Sequence, residues 1–345
     1  MPVNIRIDLV SDTASRPGRA MREAMAKAEV GDEQRGEDPS TNALCERVAD
    51  LLGQEAALFL PSGTMCNQIA IAVHCRGGDE ILASDNAHII GSEGAGAAIF
   101  AGSFIRAVPS KNGIFDVKNL YSMLRTPKDK APCSRLVNIE QTVNRGGGAI
   151  WPLATLKEII KVAQSNSLVM HMDGARLMNA VVASGISASD YTSGFDSVWL
   201  DLSKGLGCPV GGVLAGSKEF IEKAWVWKHR FGGAMRQSGI IAAAGLYALD
   251  NNVQRLADDH TNAKTFAGLI SELPGVQLAF EDTATNLVFF DVSETGIPAA
   301  VIVEKLIERG IRIGAETKTT MRAVTHLDIS HDDVNEAAGA LGELL

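Results

Sequence analysis

Three short stretches of the sequence carry residue types that could bind an anion, balance a cationic ring and supply an amine. Gly63 and Thr64 lie in "PSGT", where an apolar run gives way to a helical pattern, so their backbone amides could bind a phosphate group. Asp173 ends a second apolar run in "HMDGAR". Lys204, in "DLSKGLG", follows a third apolar run and precedes a glycine-rich bend.

Each stretch also has an ordinary structural interpretation. The "PSGT" turn could simply cap a helix, and a buried Asp173 could pair with Arg176 three residues later. A loop lysine usually keeps its amine in water. Lys204 follows a buried run, however, and we expect desolvation to lower its pKa and free the amine to attack a carbonyl carbon.

Together the three stretches predict one cofactor. Pyridoxal 5'-phosphate needs an anion site for its phosphate, a carboxylate for its pyridine nitrogen and an amine for its aldehyde. Thr64, Asp173 and Lys204 supply these in turn. The glycines that follow Lys204 would let the backbone turn sharply enough for the amine to reach the ring.

These residues must be positioned by a sheet. Short apolar runs such as "AALFL" alternate with helical patterns such as "TLKEIIKVAQSN", whose apolar residues fall on one face. This alternation is typical of an α/β protein with a mostly parallel sheet covered on both faces. Such sheets bind ligands beyond the carboxyl ends of their strands, where we expect 62–64, 173–176 and 203–204 to lie.

The pattern changes from about residue 255. The runs "NLVFFDV", "IRIGA" and "MRAVTHLDI" predict strands around the helix "AAVIVEKLIERG", with Val303, Leu306 and Ile307 facing inward. We therefore predict a large domain over 1–250, including the N-terminal segment, and a smaller α+β domain over 251–345.

Composition excludes several classes of function. The 345 residues carry a net charge of −9 without a Lys/Arg-rich run, which disfavours nucleic acid as a partner. No stretch approaches the ~18 consecutive apolar residues of a membrane helix. The five cysteines show no CxxC spacing and predict reduced thiols in a cytoplasmic protein that acts on a small molecule.

Eight further blocks occur in order along the chain. They are "SDTASRP" (11–17), "GDEQRGEDPSTN" (31–42), "LFLPSGTMCNQIA" (58–70), "AHIIGSEGAG" (87–96), "HMDGARLMNA" (171–180), "LSKGLGCPVGG" (202–212), "GGAMRQSGIIAAAG" (232–245) and "RAVTHLD" (322–328). With these blocks the chain resembles the low-specificity threonine aldolases, in the β-eliminating lyase group of fold-type I pyridoxal-phosphate enzymes. The resemblance implies an aspartate-aminotransferase-like fold, cleavage of a β-hydroxy-α-amino acid to glycine and an aldehyde, and active sites at the interface of a homodimer or homotetramer.

The resemblance also implies a role for individual residues. Lys204 would bond the cofactor aldehyde, Asp173 would pair with the pyridine nitrogen, and His88 would stack on the ring. The other implied positions are Gly63, Thr64, Ser203, Arg176 and Arg236 for the cofactor, with Arg236 reaching a neighbouring subunit's phosphate, and Ser11, Arg176 and Arg322 for the substrate carboxylate.

Four positions depart from the family pattern. Arg35 stands in place of an aromatic residue, Val143 in place of a histidine near the substrate hydroxyl, His229 in place of a lysine and Ser92 in place of a bulky residue. Neutral drift is one explanation. The other is a different substrate, a β-hydroxy amino acid with an acidic or bulky polar side chain whose distal carboxylate pairs with Arg35. Without an imidazole at 143, water, His88 or another residue must take the hydroxyl proton.

Two other functions stay open. The same cofactor supports β-elimination or racemisation when the bond from Cα to hydrogen breaks instead of that from Cα to Cβ. A non-catalytic binding protein could also keep the fold. The presence of Lys204, Asp173, His88 and Arg322 disfavours the second alternative.

Overall fold

A computed structural model describes residues 4–125 and 130–345. Its strands are β1 (Ile7–Leu9), β2 (Ala56–Leu60), β3 (Asp79–Ser84), β4 (Phe104–Val108), β5 (Cys133–Glu140), β6 (Val169–Gly174), β7 (Ser197–Asp201), β8 (Gly212–Gly216), β9 (Gln277–Leu278), β10 (Leu287–Asp291), β11 (Ile311–Ala315) and β12 (Thr320–Val324). Its helices are α1 (Arg19–Ala26), α2 (Pro39–Leu52), α3 (Gly63–His74), α4 (His88–Gly91), α5 (Gly96–Ala101), α6 (Val117–Met123), α7 (Leu153–Ser165), α8 (Leu177–Ser184), α9 (Ala188–Thr192), α10 (Lys218–Arg230), α11 (Gly239–Asn251), α12 (Leu256–Ser271), α13 (Ala299–Glu308) and α14 (His331–Gly342). Within these residues, no helix has both the length and the apolar character needed to cross a membrane.

The larger sheet has seven strands in the order β2-β8-β7-β6-β5-β3-β4. Among the described strands its pairings are parallel except the two made by β8, which runs antiparallel to β2 and β7. The prediction of a mostly parallel sheet is confirmed. Because β2, β6 and β7 run in the same direction, the turns that follow them meet at one edge of the sheet.

The helices on this sheet form where apolar periodicity predicts them. In α7 the buried residues are Leu156, Ile159, Ile160 and Ala163, which share one face and pack into the core of the sheet. The Asp38 carboxylate caps the start of α2, and Gly53 ends that helix in the left-handed conformation. Helix α3 begins directly after β2, which places its N-terminus at the same sheet edge as the ends of β6 and β7.

The smaller sheet has five strands in the order β1-β11-β12-β10-β9 and its own hydrophobic core. Helix α13 covers this core with Ala299, Ile302 and Leu306. The buried face of α13 differs from the predicted one. Leu306 is buried as expected, whereas Val303 and Ile307 are only half-buried. Helical periodicity alone did not fix the rotation of this short, evenly apolar helix.

Strand β1 comes from the N-terminal segment but belongs to the smaller sheet, where it pairs in parallel with β11. The division near residue 250 stays a prediction, and β1 departs from it. The cause is hydrogen bonding to a partner some 300 residues away, Ile7 with Ile311, which local pattern cannot reveal. The chain crosses to the larger domain immediately afterwards, so Ser11 and Asp12 lie at the junction of the two sheets.

Candidate active site

A cavity of about 460 Å³ opens at the carboxyl edge of the larger sheet. Its lining includes nine of the predicted site residues: Ser11, Gly63, Thr64, His88, Asp173, Arg176, Ser203, Lys204 and Arg322. A roomier cavity of about 730 Å³ lies around His74 and Lys223 and contains none of them. The chemistry predicted from sequence therefore converges on the smaller cavity.

Lys204 lies in the turn after β7, with its ammonium group 2.6 Å from Asp201 Oδ2. Asp201 also holds the turn itself, because its Oδ1 accepts hydrogen bonds from the Ser203 amide at 2.6 Å and the Ser203 hydroxyl at 3.0 Å. Gly207 closes the bend at a φ of 75°, in the region that favours glycine.

The expected pKa of Lys204 is corrected by this ion pair. Burial lowers the pKa of Lys204, as predicted. The nearby carboxylates, Asp201 foremost, raise it by more than burial lowers it, so the net shift is upward. In the cofactor-free chain Lys204 is therefore a stabilised ammonium ion. The sequence argument considered desolvation alone and omitted the carboxylate three residues earlier.

Asp173, at the end of β6, is buried beneath the cavity floor. Its carboxylate accepts hydrogen bonds from Asn67 Nδ2 at 2.8 Å and from the Ala175 amide at 3.0 Å. Burial, with Glu140 and Glu93 nearby, raises its pKa to about 7. A cation placed against Asp173 would relieve this accumulation of carboxylates.

His88 is the first residue of α4 and is held from two sides. Its amide donates to Glu140 Oε2 at 2.9 Å, and its ring Nδ1 donates to Glu93 Oε1 at 2.8 Å. The hydrogen bond that His88 donates to Glu93 raises the pKa of His88. Asn67 Nδ2 donates to the same Glu93 oxygen at 2.7 Å, so His88 and Asp173 share one hydrogen-bonded network.

Glu93→Gln tests this arrangement. The substitution removes the carboxylate that stabilises the imidazolium, so we expect the pKa of His88 to fall relative to the parent. The measurement is an NMR titration of the His88 ring protons in the cofactor-free protein. Glu219→Gln, on the exposed surface of α10, is the matched control and should leave the His88 titration in place. An unchanged His88 titration in Glu93→Gln would contradict the assignment.

Arg176 pairs with Asp12 and not with Asp173, so the simple structural interpretation of "HMDGAR" is wrong. Its Nε and Nη2 donate to the two Asp12 oxygens at 2.7 and 2.8 Å. Although burial opposes it, this pair lowers the pKa of Asp12 to about 2. Asn286 Nδ2 donates to the same carboxylate at 3.1 Å, which joins the smaller domain to this corner of the cavity.

Arg322 approaches the cavity from β12. Its Nε lies 3.2 Å from Glu316 Oε1, and its two terminal nitrogens donate to the Val10 carbonyl at 3.2 Å and to Asn144 Oδ1 at 3.4 Å. These contacts fix the guanidinium at the cavity wall. Ser11 lines the same wall, where its hydroxyl oxygen accepts from the Thr13 amide at 3.2 Å.

Two predicted residues, Arg35 and Arg236, lie outside the cavity of their own chain. The Arg35 side chain is 70% exposed, with Nε 3.9 Å from Asp32. Arg236 is 62% exposed and donates to Asp32 at 2.9 Å. Within one chain the structure therefore does not bring Arg35 to the substrate site. The predicted roles of Arg35 at a distal substrate carboxylate and of Arg236 at a neighbouring subunit's phosphate stay predictions.

The four departures from the family pattern do not cluster as expected. Ser92 lines the cavity, whereas His229 is exposed on α10. Val143 is buried, and its side chain occupies the space that a Cβ would need at Gly113. Position 143 thus contributes to the core, and the expectation that it faces the substrate hydroxyl is wrong. Asn144 and Arg145 line the cavity in its place.

Sequence reasoning missed several residues that build the site, among them Asp12, Asn67, Glu93, Glu140, Arg145 and Asp201. Asp201 could have been found, because a carboxylate three residues before the lysine is visible in "DLSK". Asn67 gave no such signal, since it lies inside an apolar helix. Arg145 lies in a short 3₁₀ turn over Asn144–Gly146, where no periodicity reveals orientation.

The sequence matches a known protein family and several characterised relatives. Residues 8–293 match the family described as Beta-eliminating lyase. The low specificity L-threonine aldolase of Escherichia coli (strain K12) is 40% identical over 333 residues, which cover 96% of this chain and 97% of that protein. Low-specificity L-threonine aldolase 1 of Arabidopsis thaliana is 38% identical over 334 residues, covering 95% and 93% respectively.

The fold recurs in solved structures. The threonine aldolase of Leishmania major superposes with a TM-score of 0.83 at 20% identity, over 98% of this chain and 99% of that one. At this identity the likeness shows the fold alone, and it confirms the predicted fold-type I class. The resemblance noted from sequence blocks is confirmed by the full-length matches. The chain belongs to the beta-eliminating lyase family, and the relatives named here are low-specificity L-threonine aldolases.

Proposed function

We propose that this chain is a pyridoxal-phosphate-dependent lyase that cleaves the bond between Cα and Cβ of a β-hydroxy-α-amino acid to yield glycine and an aldehyde. One observation carries the proposal. Lys204, the buried Asp173 and the N-terminus of α3 converge on one cavity, in a chain that resembles aldolases over nearly its full length. The predicted class of enzyme, a lyase of this family, is supported by the same matches.

The cavity fits the cofactor in three respects. Asp173 lies among carboxylates that favour a neighbouring cation, which suits a protonated pyridine nitrogen. The Gly63 and Thr64 amides begin a 12-residue helix and have no partner within it, which suits a phosphate. A Cβ at Gly63 would lie 2.1 Å from the Trp199 indole, so only glycine allows this close approach. Lys204 Nζ, 5.5 Å from the Trp199 ring centroid, supplies the amine.

Bound pyridoxal phosphate supplies an electron sink for the electron pair released when a bond at Cα breaks. The chain's own residues direct which bond that is. Arg322 and Ser11 hold the substrate carboxylate, which fixes rotation about the bond from nitrogen to Cα. Asp173 keeps a proton on the ring nitrogen. Asp201 receives the Lys204 ammonium whenever that amine leaves the cofactor.

His88 is suited to exchange protons with the substrate hydroxyl. Since Glu93 accepts the hydrogen bond from Nδ1, Nε2 is the nitrogen left to face a substrate. The hydrogen bond to Glu93 raises the pKa of His88, which makes the imidazole a stronger base for the hydroxyl proton that is lost as the bond from Cα to Cβ breaks. Packing of Val143 into the core leaves this role to His88.

Product analysis on a panel of β-hydroxy amino acids tests the proposal. We expect glycine and an aldehyde in equal amounts, with pyridoxal phosphate required. Keto acid and ammonia without glycine would instead indicate cleavage of the bond from Cα to hydrogen followed by elimination, and inversion of configuration alone would indicate racemisation. No product from any substrate, in protein shown to bind the cofactor, would favour a binding role.

We infer further that the working unit is a homodimer or homotetramer in the cytoplasm. The exposed Arg236, held 2.9 Å from Asp32 outside its own cavity, supports a shared site in which it binds a neighbouring subunit's cofactor phosphate. Free cysteines support a reducing compartment. Sedimentation velocity of the purified protein tests the assembly.

A further inference from the structure

The wall of the cavity carries a guanidinium that sequence analysis did not identify. Arg145 lines the cavity from the 3₁₀ turn Asn144–Gly146. Its Nη1 lies 3.4 Å from the point that a Cβ on Gly91 would occupy, so the guanidinium rests against the end of α4 beside Ser92. The small Ser92 side chain leaves this space open.

Arg145 differs from the other cations of the cavity in its partners. Lys204 pairs with Asp201, Arg176 with Asp12 and Arg322 with Glu316. Over the part of the chain that the structure describes, Arg145 has no carboxylate within ion-pair distance and its side chain donates no hydrogen bond. A guanidinium that lines a site without a protein anion is available to an anionic ligand.

The turn that carries Arg145 is rigid. The Asn144 amide donates to Glu140 Oε1 at 2.9 Å, and Val143 anchors the turn in the core. A Cβ at Gly146 would lie 2.0 Å from the Asn112 carbonyl oxygen, so the next position admits only glycine. The backbone that carries Arg145 is therefore held on both sides, and its exposed side chain extends from this fixed turn.

Arg145 gives the cavity a second candidate anion site, beside that of Arg322. Arg322 and Arg145 line the same cavity, and Arg322 Nη1 donates at 3.4 Å to Asn144 Oδ1, on the residue before Arg145. Arg322 is the residue assigned to the substrate carboxylate at Cα, and Arg145 lies against the end of α4, the helix that begins with His88. Two neighbouring cations suit a substrate with two carboxylates.

We propose that Arg145 binds a carboxylate on Cβ, so that the preferred substrate is a 3-hydroxy-2-amino dicarboxylic acid such as 3-hydroxyaspartate. This inference rests on the proposed function and replaces Arg35 with Arg145 as the residue that recognises the second carboxylate. The reaction balances without a co-reactant: the bond from Cα to Cβ breaks, the hydroxyl loses its proton, Cα gains one, and glycine and glyoxylate leave.

Binding of amino acids that lack the β-hydroxyl tests Arg145 without turnover. In the holoenzyme, Arg145→Gln should weaken the binding of L-aspartate by about 10- to 100-fold, which is the effect of losing a charge-assisted bidentate contact. The affinity for L-2-aminobutyrate, which lacks the second carboxylate, should change by no more than about twofold. Arg47→Gln, whose arginine is 58% exposed on α2, is the matched control and should change neither.

Turnover gives the second measurement. The parent should cleave 3-hydroxyaspartate with a higher kcat/KM than threonine, and Arg145→Gln should reverse or abolish that preference through KM. Equal loss of L-aspartate and L-2-aminobutyrate binding would overturn the inference, as would a selective loss in Arg35→Gln instead. Failure of the parent to release glycine from any substrate would overturn the proposed function, while the binding comparison would still decide the role of Arg145.

Discussion

Lys204→Ala reduces glycine formation by ~10⁴-fold or more, the loss expected when a residue that bonds the reacting group is removed. The side chain is the amine that reaches the cofactor from the turn after β7. We expect the variant to lose the absorbance band that the parent shows with pyridoxal phosphate. The measurement is kcat with saturating cofactor, together with that spectrum.

Lys204→Ala should also destabilise the protein, so its loss of stability must be measured separately from its loss of activity. Asp201 is buried and loses its ionic partner, at a cost on the order of 3–5 kcal/mol. Lys204→Arg keeps a cation beside Asp201 and cannot form the bond to the cofactor, so it should be more stable than Lys204→Ala and equally inactive. Lys223→Ala, an exposed lysine on α10, should retain activity. Full activity in Lys204→Arg would remove Lys204 from the mechanism.

Asp173→Asn has opposite effects on activity and on the stability of the cofactor-free protein. Activity should fall by about 10²–10³-fold, because a neutral amide cannot hold the ring nitrogen protonated. Stability should rise above about pH 7, because the variant no longer has to ionise a carboxyl group beside Glu93 and Glu140. Asp50→Asn, on the exposed side of α2, is the matched control.

The sign of the pH dependence follows from the raised pKa of Asp173. That pKa is about 7 in the folded chain and ~3.9 in an unfolded one. The folded state therefore binds this proton more tightly, and its contribution to stability is present below ~pH 4 and is lost as the pH rises through 7. The melting temperature of the cofactor-free parent should fall between pH 5 and 8 relative to Asp173→Asn. If the melting temperatures of the parent and of Asp173→Asn changed equally between pH 5 and 8, that result would contradict the assigned pKa.

The sequence predicted the parts of this molecule that depend on local pattern. Apolar patterns located α7 and the strands that precede Thr64, Asp173 and Lys204, and the rule that ligands bind beyond strand ends brought these three residues to one edge. The departures have physical causes. Arg176 pairs with Asp12, which is 164 residues away in the chain, so no local pattern could identify that partner.

Orientation was harder to predict than location. Val143 was expected near the substrate and Arg145 was not singled out, yet the structure buries Val143 in the core and places Arg145 at the cavity. A short turn has neither the period of a helix nor that of a strand, so its pattern does not say which side chain faces inward. The pKa of Lys204 was likewise decided by more than its burial, because Asp201, Asp12 and Asp173 together outweigh the effect of desolvation.

The pairing of β1 with β11 has a consequence for how the chain is made. Translation delivers residues 7–9 about 300 residues before their partner strand, Ile311–Ala315. The seven strands of the larger sheet lie within residues 56–216 and can begin to pair while synthesis continues, and residues 242–256 then complete the core against them. Ser11 and Asp12 must wait for the smaller sheet to anchor β1. A nascent chain therefore builds its central sheet well before it possesses a working catalytic cavity.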